Sequence, residues 1–526
     1  MDISKITLFL HTLRFLKPIQ VYYRFFYLIR KLFYRVPRKE EKSDINYISF
    51  HERYDFPIYS AKTYFEPDTF NFLNQKKTFS GAIDWNYLGY GKLWCYNLNY
   101  FEFLEQKDMS KEFGLNLILS YIKSEPDLKD GLEPYPISLR IINWFKFLTK
   151  HQVANKEIHQ SLKWYSDILY VNIEYHILGN HILENGFALL FSAHFFRDPR
   201  YLKKAKNILQ SELNEQILSD GAHFEQSPMY HQIILYRLLD AIYLIEECKW
   251  VGEMSTTLRG HAAKMLTWLM NIGFSNGQIP LVNDSASGIA PETSLLVEYA
   301  RQLNIFPIAN LTLGESGYRM IRLDHAEVLF DVGNITATYQ AGHHHSDALQ
   351  VLLNWNNQPI LVDTGVSTYE KNERRQLERS TSSHNTVHFS NENFDNVWGG
   401  FRTAQRSKVQ LVEDSNNIVS ASVCHYITKE TFVRKLTCVN DLIIIEDQVS
   451  YNGPVMAFFH FHPDCKLKLV NDHSFYVLPY DICFTFVGAQ ASFIEPYNLA
   501  TGYNQLIPSQ RIKIVFKNRL STRIAI

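Results

Sequence analysis

Two short stretches of the sequence concentrate side chains that could carry acid–base chemistry. In the first, GNHILENG, Asn180 lies four residues before Glu184, and His181 lies four residues before Asn185. Residues at this spacing share one face of a helix, so the four polar groups form a stripe on an otherwise apolar segment. Such a stripe can be buried if every polar group has a partner. We favour the other interpretation, in which the stripe lines a solvent-filled cleft.

The second stretch, DGAHFEQSPMYHQ, places a tyrosine close to a predicted helix start. Ser227 followed by Pro228 is typical of an N-cap and a first helical residue. Tyr230 then lies in the first turn, where the helix dipole favours a negative charge, so an ionised phenol would be less costly there than elsewhere. The chain has 31 tyrosines, so a role for Tyr230 in the core is the simpler interpretation when this segment is taken alone.

Histidines and aspartates recur further along the chain at spacings that suit a metal. The segment GHHHSDALQVLLNW predicts a strand, on one face of which His343, His345 and Asp347 would alternate. Asp363 ends the run PILVDTG, and His384 follows in RSTSSHNTVHF. Two histidines and an aspartate that converged from separate segments would make a zinc site. A histidine-rich loop without metal fits the same spacing, because the chain has 20 histidines.

The elements that must position these residues change character along the chain. From about residue 50 to 305, apolar residues recur every three or four positions, which predicts a series of amphipathic helices arranged as an array or toroid. From about residue 315, short β-branched and aromatic runs separated by turns predict an antiparallel sandwich. The candidate acid–base residues of the first two stretches therefore come from the helical region, and the candidate metal ligands come from the strand region.

The composition indicates a protein with two cores and argues against a disulfide-rich or nucleic-acid-binding protein. The 526 residues are enough for two cores, and the net charge of -1 gives no general affinity for nucleic acid. The six cysteines are scattered without C-x-x-C pairs, which argues against a disulfide framework or a cysteine zinc site and mildly favours a reducing compartment.

The first 39 residues form an unusual basic and aromatic arm. They contain nine Lys or Arg and one acid, and these charges interrupt every apolar run. The pattern predicts neither a transmembrane span nor a signal peptide. An amphipathic arm on an anionic membrane is one interpretation. A helix packed on the protein, with its cations extending outward, is the one we prefer.

Taken together, the sequence blocks resemble the heparinase II/III superfamily of polysaccharide lyases, which also includes alginate lyases. The resemblance runs from about residue 80 to 440. It follows, in order, the blocks IDWNYLGYGKLWCYNLNYF, EPYPISLRIINW, GNHILENG, the stretch from Glu225 to Tyr230, GHHHSDAL, LVDTGVSTY, RSTSSHNTV and NVWGGF. The basic and aromatic composition marks an N-terminal arm at 1–45. The resemblance implies an incomplete (α/α) toroid at 46–310 and an antiparallel β-sandwich at 311–526.

The resemblance also implies a reaction, the β-elimination of a uronic-acid-containing polysaccharide, which leaves an unsaturated sugar. Neutral donors would hydrogen-bond the uronate carboxylate and stabilise the developing enolate, while a base removes the C5 proton and an acid protonates the leaving oxygen. By resemblance, Asn180 binds the carboxylate, with His181 and Glu184 beside it. Tyr230 acts as the acid and in some relatives also as the base, and His343 reaches into the cleft. Whether Tyr230 acts alone or shares the acid–base work with His343 depends on the C5 stereochemistry of the substrate.

Two further groups of residues are assigned by the same resemblance. His345, Asp363 and His384 match the family's zinc ligands, and we expect that zinc to be structural. Arg140 and Asn143 fall in a block that lines the substrate cleft in relatives.

Alternatives remain open at this point. A glycoside hydrolase would need two carboxylates that flank the bond, for which Glu184 and Glu225 are the candidates. A non-catalytic glycan-binding protein of polysaccharide biosynthesis could also keep this fold. Relatives are commonly exported to the cell envelope, whereas the lack of a recognisable signal here leaves action inside the cell or at the membrane open.

Overall fold

The computed structural model describes residues 3–33, 53–247, 254–390, 392–439 and 442–526. Within these ranges no helix is both long enough and apolar enough to cross a bilayer. Parts of the predicted arm (residues 1–2 and 34–45) lie outside the described residues.

Helices dominate the chain up to about residue 302. Two helices form the described part of the N-terminal arm, α1 (Ile3–Leu13) and α2 (Pro18–Phe33). The others are α3 (Lys92–Tyr100), α4 (Lys111–Ser124), α5 (Pro134–Lys150), α6 (Lys156–Val171), α7 (Asn180–Phe196), α8 (Pro199–Gln216), α9 (Pro228–Glu247), α10 (Ser255–Ile272) and α11 (Thr293–Gln302).

The helical region contains one departure from the sequence prediction. We expected only helices from about residue 50, but a small antiparallel sheet comes first, formed by β1 (Tyr64–Phe65), β2 (Thr69–Phe72) and β3 (Gln75–Thr78). Leu73 and Asn74, between β2 and β3, both have positive φ, the conformation of a tight hairpin turn. This local turn brings the two short strands together, and a count of apolar periodicity does not detect it.

The helix that carries the polar stripe, α7, lies in the middle of the helical region. Helix α7 packs between α5, α8 and α9, and nearly all of its residues are buried. Its apolar residues, such as Leu183 and Phe187, join one large core shared by the helices. The first turn of α7 is thereby fixed in place at the edge of this core.

Strands dominate the second half. A four-stranded antiparallel sheet contains β4 (Tyr318–Arg322), β5 (Ala326–Asp331), β6 (Val351–Trp355) and β7 (Gln358–Leu361). The short helix α12 (Glu373–Glu378) and the two-stranded ribbon of β9 (Val397–Trp398) and β10 (Arg402–Thr403) lie among the connections. A ten-stranded antiparallel sheet contains β8 (Val387–Phe389), β11 (Lys408–Asp414), β12 (Ile418–Cys424), β13 (Thr431–Val439), β14 (Leu442–Val449), β15 (Val455–His460), β16 (Lys466–Asn471), β17 (Ser474–Leu478), β18 (Ile482–Gly502) and β19 (Gln505–Ala525).

Strand β5 shows how the two halves are joined. All six of its residues are buried. Leu329 belongs to the helical core, whereas Val328 and Phe330, on the opposite face, belong to the core between the sheets. The four-stranded sheet is therefore a shared wall, and the loops at its edge lie against the first turns of the helices.

The histidine-rich segment is not part of a strand, which corrects the sequence prediction. Residues 343–350 form bends and turns, and β6 begins at Val351. Leu349 has a positive φ, and the Ser346 amide donates to the Arg379 carbonyl rather than to a neighbouring strand. The polar side chains here find partners on several different segments, and those contacts replace a regular ladder.

Candidate functional site

The two halves meet where the first turn of α9 faces the histidine loop. Helix α9 begins at Pro228, as predicted, and the Tyr230 amide donates to Ser227 Oγ at 3.4 Å. Ser227 Oγ in turn donates to the Asp284 carbonyl at 2.9 Å. The ring of Tyr230 packs on the imidazole of His343, with 4.0 Å between ring centroids. The tertiary fold thus brings together two residues that the sequence analysis had placed in separate clusters.

His343 is held by carboxylates on both sides. Its Nδ1 lies 2.9 Å from Asp284 Oδ2, and its Nε2 lies 3.6 Å from Glu225 Oε2. The hydrogen bond to Asp284 favours the tautomer that donates from Nδ1, whereas Glu225 lies beyond hydrogen-bond distance of Nε2. This imidazole is therefore oriented as a base or acid would need to be.

Asp284 is the centre of the network around His343, and the sequence analysis did not single it out. Besides His343, it faces His345 Nε2 at 2.8 Å, and its two oxygens accept from Arg375 Nη1 and Nη2 at 2.5 and 2.6 Å. Burial opposes its ionisation, but the Arg375 charge and the two imidazoles hold the pKa of Asp284 well below its usual range. Its segment, NDSASG, is a loop without periodicity, so no local pattern marks it.

Asn180 forms the first residue of α7 and faces Glu225. Its backbone amide and its Nδ2 donate to the two oxygens of Glu225 at 2.9 and 2.8 Å. Gly179 precedes it with φ of 63°, and a Cβ there would lie 2.4 Å from Glu225 Oε1. Burial opposes ionisation of Glu225, but His343, His223 and these donors lower its pKa. A residue with a Cβ at position 179 would clash with Glu225, which explains the glycine at the start of the GNHILENG block.

His181 is the member of the stripe that reaches solvent. Its side chain is 32% exposed, its Nδ1 lies 3.2 Å from Glu174 Oε1, and its ring packs on Tyr135 at 4.5 Å. Burial disfavours the imidazolium, but the Glu174 carboxylate outweighs burial and raises the pKa of His181. His181 therefore has both access to solvent and a tendency to carry positive charge.

The other three residues of the stripe are buried in a polar network, so the alternative of partnered, buried polar groups describes them better than the predicted solvent-filled cleft. Asn185 donates to Ser138 and Glu174 and accepts from the Glu174 amide. Glu184 is fully buried, with Arg237 Nε 3.3 Å from its Oε2. Burial raises the pKa of Glu184 to about 7, against the opposing charge of Arg237. Neither residue is exposed to the cleft, because both lie a turn deeper in the core than Asn180 and His181.

Tyr230 is not predisposed to ionise, contrary to the argument from the helix dipole. Its hydroxyl lies 3.3 Å from the Tyr369 hydroxyl. Burial raises its pKa, and the carboxylates of Asp284 and Glu225 act in the same direction, outweighing the hydrogen bond to Tyr369. In this structure Tyr230 is therefore a neutral proton donor, as an acid would be before the reaction.

Arg140 and Asn143 do not line a cleft, which corrects their assignment as substrate-binding residues. The Arg140 guanidinium is buried, donates to the carbonyls of Asn99 and Gly131, and lies over the ring of Tyr165. Asn143 is equally buried and donates to the Tyr100 carbonyl at 2.9 Å. Both side chains stabilise the loops around α3 and α5, because those backbone carbonyls need donors inside the core.

The predicted metal ligands converge, with one difference. Asp363 Oδ2 lies 2.8 Å from His384 Nδ1, and a carboxylate oxygen of Asp347 completes a buried group whose ligand atoms are all within 4.8 Å of one another. The ring of His345 lies 5.4 Å from that of His384, but its Nε2 faces Asp284. Within the described residues, His345 Nδ1 and His384 Nε2 are buried and lack a hydrogen-bond partner.

Two family models match consecutive parts of this chain. The model described as heparinase II/III N-terminus matches residues 135–312, and the one described as heparinase II/III-like, C-terminal, matches residues 310–526. Among characterised relatives, a heparin-sulfate lyase of Bacteroides stercoris is 24% identical over 248 residues, 42% of this chain and 37% of the relative. A heparin-sulfate lyase of Pedobacter heparinus is 25% identical over 142 residues, 26% of this chain and 21% of the relative. The aligned parts thus span 37% and 21% of these relatives' length.

Solved structures with the same fold cover most of the chain. A heparinase III structure superposes with a TM-score of 0.67 at 16% identity and covers 85% of this chain and 79% of its own. A chondroitin AC lyase of Streptomyces coelicolor, in complex with chondroitin sulphate, has a TM-score of 0.53 at 9% identity and covers 83% and 74%. These likenesses concern the fold, a helical part followed by antiparallel sheets. The two family models, which together match residues 135–526, show that this chain belongs to the heparinase II/III family.

Proposed function

We propose that the protein is a polysaccharide lyase that cleaves a uronate-containing polysaccharide by β-elimination. The observation that carries the proposal is the pair formed by Tyr230 and His343, stacked at 4.0 Å, with His343 held by Asp284 and the amide of Asn180 nearby. We also infer that the helical part forms an incomplete (α/α) toroid and that the sheets form a sandwich, as the family resemblance implies.

The proposed reaction begins with the uronate carboxylate. The Asn180 amide uses one Nδ2 proton for Glu225, and its second Nδ2 proton is available to the substrate. His181, at the solvent side, supplies a positively charged donor to the same carboxylate. As the C5 proton leaves, negative charge develops on that carboxylate, and these preorganised donors stabilise it more strongly than in the ground state.

The proton transfers fall to the stacked pair. His343 Nε2 is the proposed base for the C5 proton, since Asp284 orients the ring from the other side and stabilises the imidazolium that forms. Tyr230 is the proposed acid for the O4 leaving group, because burial keeps its phenol protonated. The glycosidic C4–O4 bond breaks as a C4–C5 double bond forms, and water is not consumed.

The buried environment of Glu184 gives it a supporting role in this proposal. It neutralises Arg237 and lies one turn below Asn180, so it stabilises the first turn of α7. This placement also weakens the alternative of a hydrolase, which would need two carboxylates open to the bond. Glu184 is engaged by Arg237, and Glu225 is engaged by both donors of Asn180.

Zinc is the proposed metal, and the donor set fits it. Asp347, Asp363 and His384 would hold the ion, since one ligand atom of each lies within 4.8 Å of the others, and the unpartnered Nδ1 of His345 would be a further donor. When bound, the ion would supply structural cross-linking rather than acid–base chemistry. His345 would then connect the metal to Asp284 and so to His343.

The proposal is tested by incubating the purified protein with heparan sulfate, chondroitin sulfate and alginate in turn. A lyase forms products that absorb in the ultraviolet through the conjugated uronate and are lighter by one water than hydrolysis products. The control is His343→Ala, which we expect to be folded and inactive. New reducing ends without absorbance would point to a hydrolase, and binding without cleavage to a glycan-binding protein.

A further inference from the structure

Helix α2 presents an apolar face to solvent. The exposed fractions of its large outer side chains range from 38% to 83%, in the set Val21, Tyr22, Phe25, Phe26, Leu28, Ile29, Leu32 and Phe33. Spacings of three, four and seven residues place them on one side of the helix. Helix α1 adds Ile6, Phe9 and Leu10, which are also exposed. A contiguous apolar surface of this kind marks an interaction site in a folded protein.

The opposite face of α2 explains this orientation, since it is anchored to the helical part through polar groups. Gln20 Nε2 donates to the Ile177 carbonyl at 2.9 Å, and the Tyr27 hydroxyl donates to the Ile173 carbonyl. The ring of Tyr23 packs on that of Tyr175 at 4.6 Å. These contacts satisfy the carbonyls of the loop between α6 and α7 and fix the apolar side outward.

Helix α1 and the turn that follows are anchored to the second half of the chain. The Trp398 indole donates to Thr12 Oγ1 at 3.1 Å, and the Arg406 guanidinium lies 3.7 Å from the centroid of the Phe15 ring. Both described helices of the arm are thus held by the body of the protein. The apolar surface is therefore a fixed feature of the fold.

The charge of the same segment indicates what the surface meets. Residues 3–33 contain six Lys or Arg and no Asp or Glu. Arg14, Arg24 and Lys31 are exposed. A helix is only about 10 Å across, so cations on its polar side lie at the depth of lipid phosphates when its apolar side enters the acyl boundary. A second copy of the chain would instead bring two cationic arms together.

We propose that α1 and α2 dock the protein on the surface of an anionic phospholipid bilayer. The apolar face enters the boundary between headgroups and acyl chains, and the cations bind lipid phosphates. Exposed aromatic side chains such as Tyr22 and Phe25 suit this interfacial depth. The helices lie on the membrane rather than across it, in keeping with the absence of a spanning helix among the described residues.

The first test compares binding of the full chain to vesicles of phosphatidylcholine alone and of phosphatidylcholine with phosphatidylglycerol, by flotation. We expect binding to the anionic vesicles. The apolar variant is the triple substitution Phe25→Ser, Ile29→Ser and Leu32→Ser, which should weaken that binding by about tenfold or more. The matched control substitutes equally exposed apolar residues on the sheets, Val412→Ser, Leu469→Ser and Val470→Ser, and should bind as wild type does.

The second test removes charge without changing the apolar face. Each cation near an anionic surface contributes a factor of about five in affinity, so Arg14→Gln with Lys31→Gln should weaken binding by about 25-fold. Circular dichroism and light scattering check the fold and the oligomeric state of every variant. Equal binding to both vesicle types, or no binding by a folded wild type, would overturn the proposal. A wild-type dimer that the apolar variant converts to a monomer, without vesicle binding, would assign the surface to a second copy instead.

Discussion

Asp284 offers the sharpest test of the site, because it connects three charged or polar partners and contacts no cleft surface. We consider Asp284→Asn, which keeps the shape of the side chain but removes its charge. In the wild type, the Asp284 carboxylate accepts from both imidazoles and from two nitrogens of Arg375. An amide has one acceptor oxygen, and its nitrogen would face donors on the other side.

The expected cost has two parts. Arg375 would lose the carboxylate that balances its buried charge, and breaking a buried ion pair on one side costs about 3–5 kcal/mol of stability. His343 would lose the partner that fixes its tautomer and stabilises the imidazolium. We therefore expect kcat to fall on the order of 10²-fold or more, whereas KM should change little, since Asp284 does not touch the substrate.

Asp395→Asn is the matched control, since Asp395 is also buried and bonds the adjacent histidine, with Oδ2 2.7 Å from His344 Nε2. The assay measures kcat, KM and the thermal midpoint of both variants on the polymer that the wild type cleaves. We expect Asp395→Asn to be destabilised yet to keep its kcat. A wild-type kcat in folded Asp284→Asn would refute the proposed orientation of His343. An equal loss of kcat in both variants would show that activity follows stability alone.

Three further predictions concern other parts of the site. Tyr230→Phe removes one hydroxyl hydrogen bond and should therefore lower the stability by about 0.5–1.5 kcal/mol. It should lower kcat by at least about 10²-fold, and a near-normal kcat would refute the role of Tyr230 as acid. Purified wild type should contain zinc by elemental analysis, and His384→Ala should lack it and melt at a lower temperature; a metal-free, fully active wild type would refute the metal assignment. Because the pKa of Glu184 is raised from 4.5 to about 7, the folded state binds its proton more tightly, so its contribution to stability should decline as pH rises across that interval. The difference in thermal midpoint between wild type and Glu184→Gln should therefore change between pH 4.5 and 7, and a constant difference would contradict this.

Several parts of the site could be predicted from the sequence because their signals are local. The start of α9 at Pro228 and the position of Tyr230 in its first turn follow from an N-cap and a proline next to each other. The shared face of Asn180 and Glu184 follows from helical periodicity. The inward side chains of β13 follow from its alternation, with Phe432 among those buried. In each case a few neighbouring residues contain the whole physical cause.

Only the tertiary structure decided which polar groups meet. Asp284 lies 59 residues from His343 in the sequence, and the contact between them depends on how the α9 end and the histidine loop pack against the shared sheet. The burial of a side chain also could not be read from the local sequence. Arg140 was assigned to the cleft by resemblance, but it donates to two buried carbonyls. Periodicity determines which face a residue occupies, whereas the partner of that face is set by the long-range contacts of the whole chain.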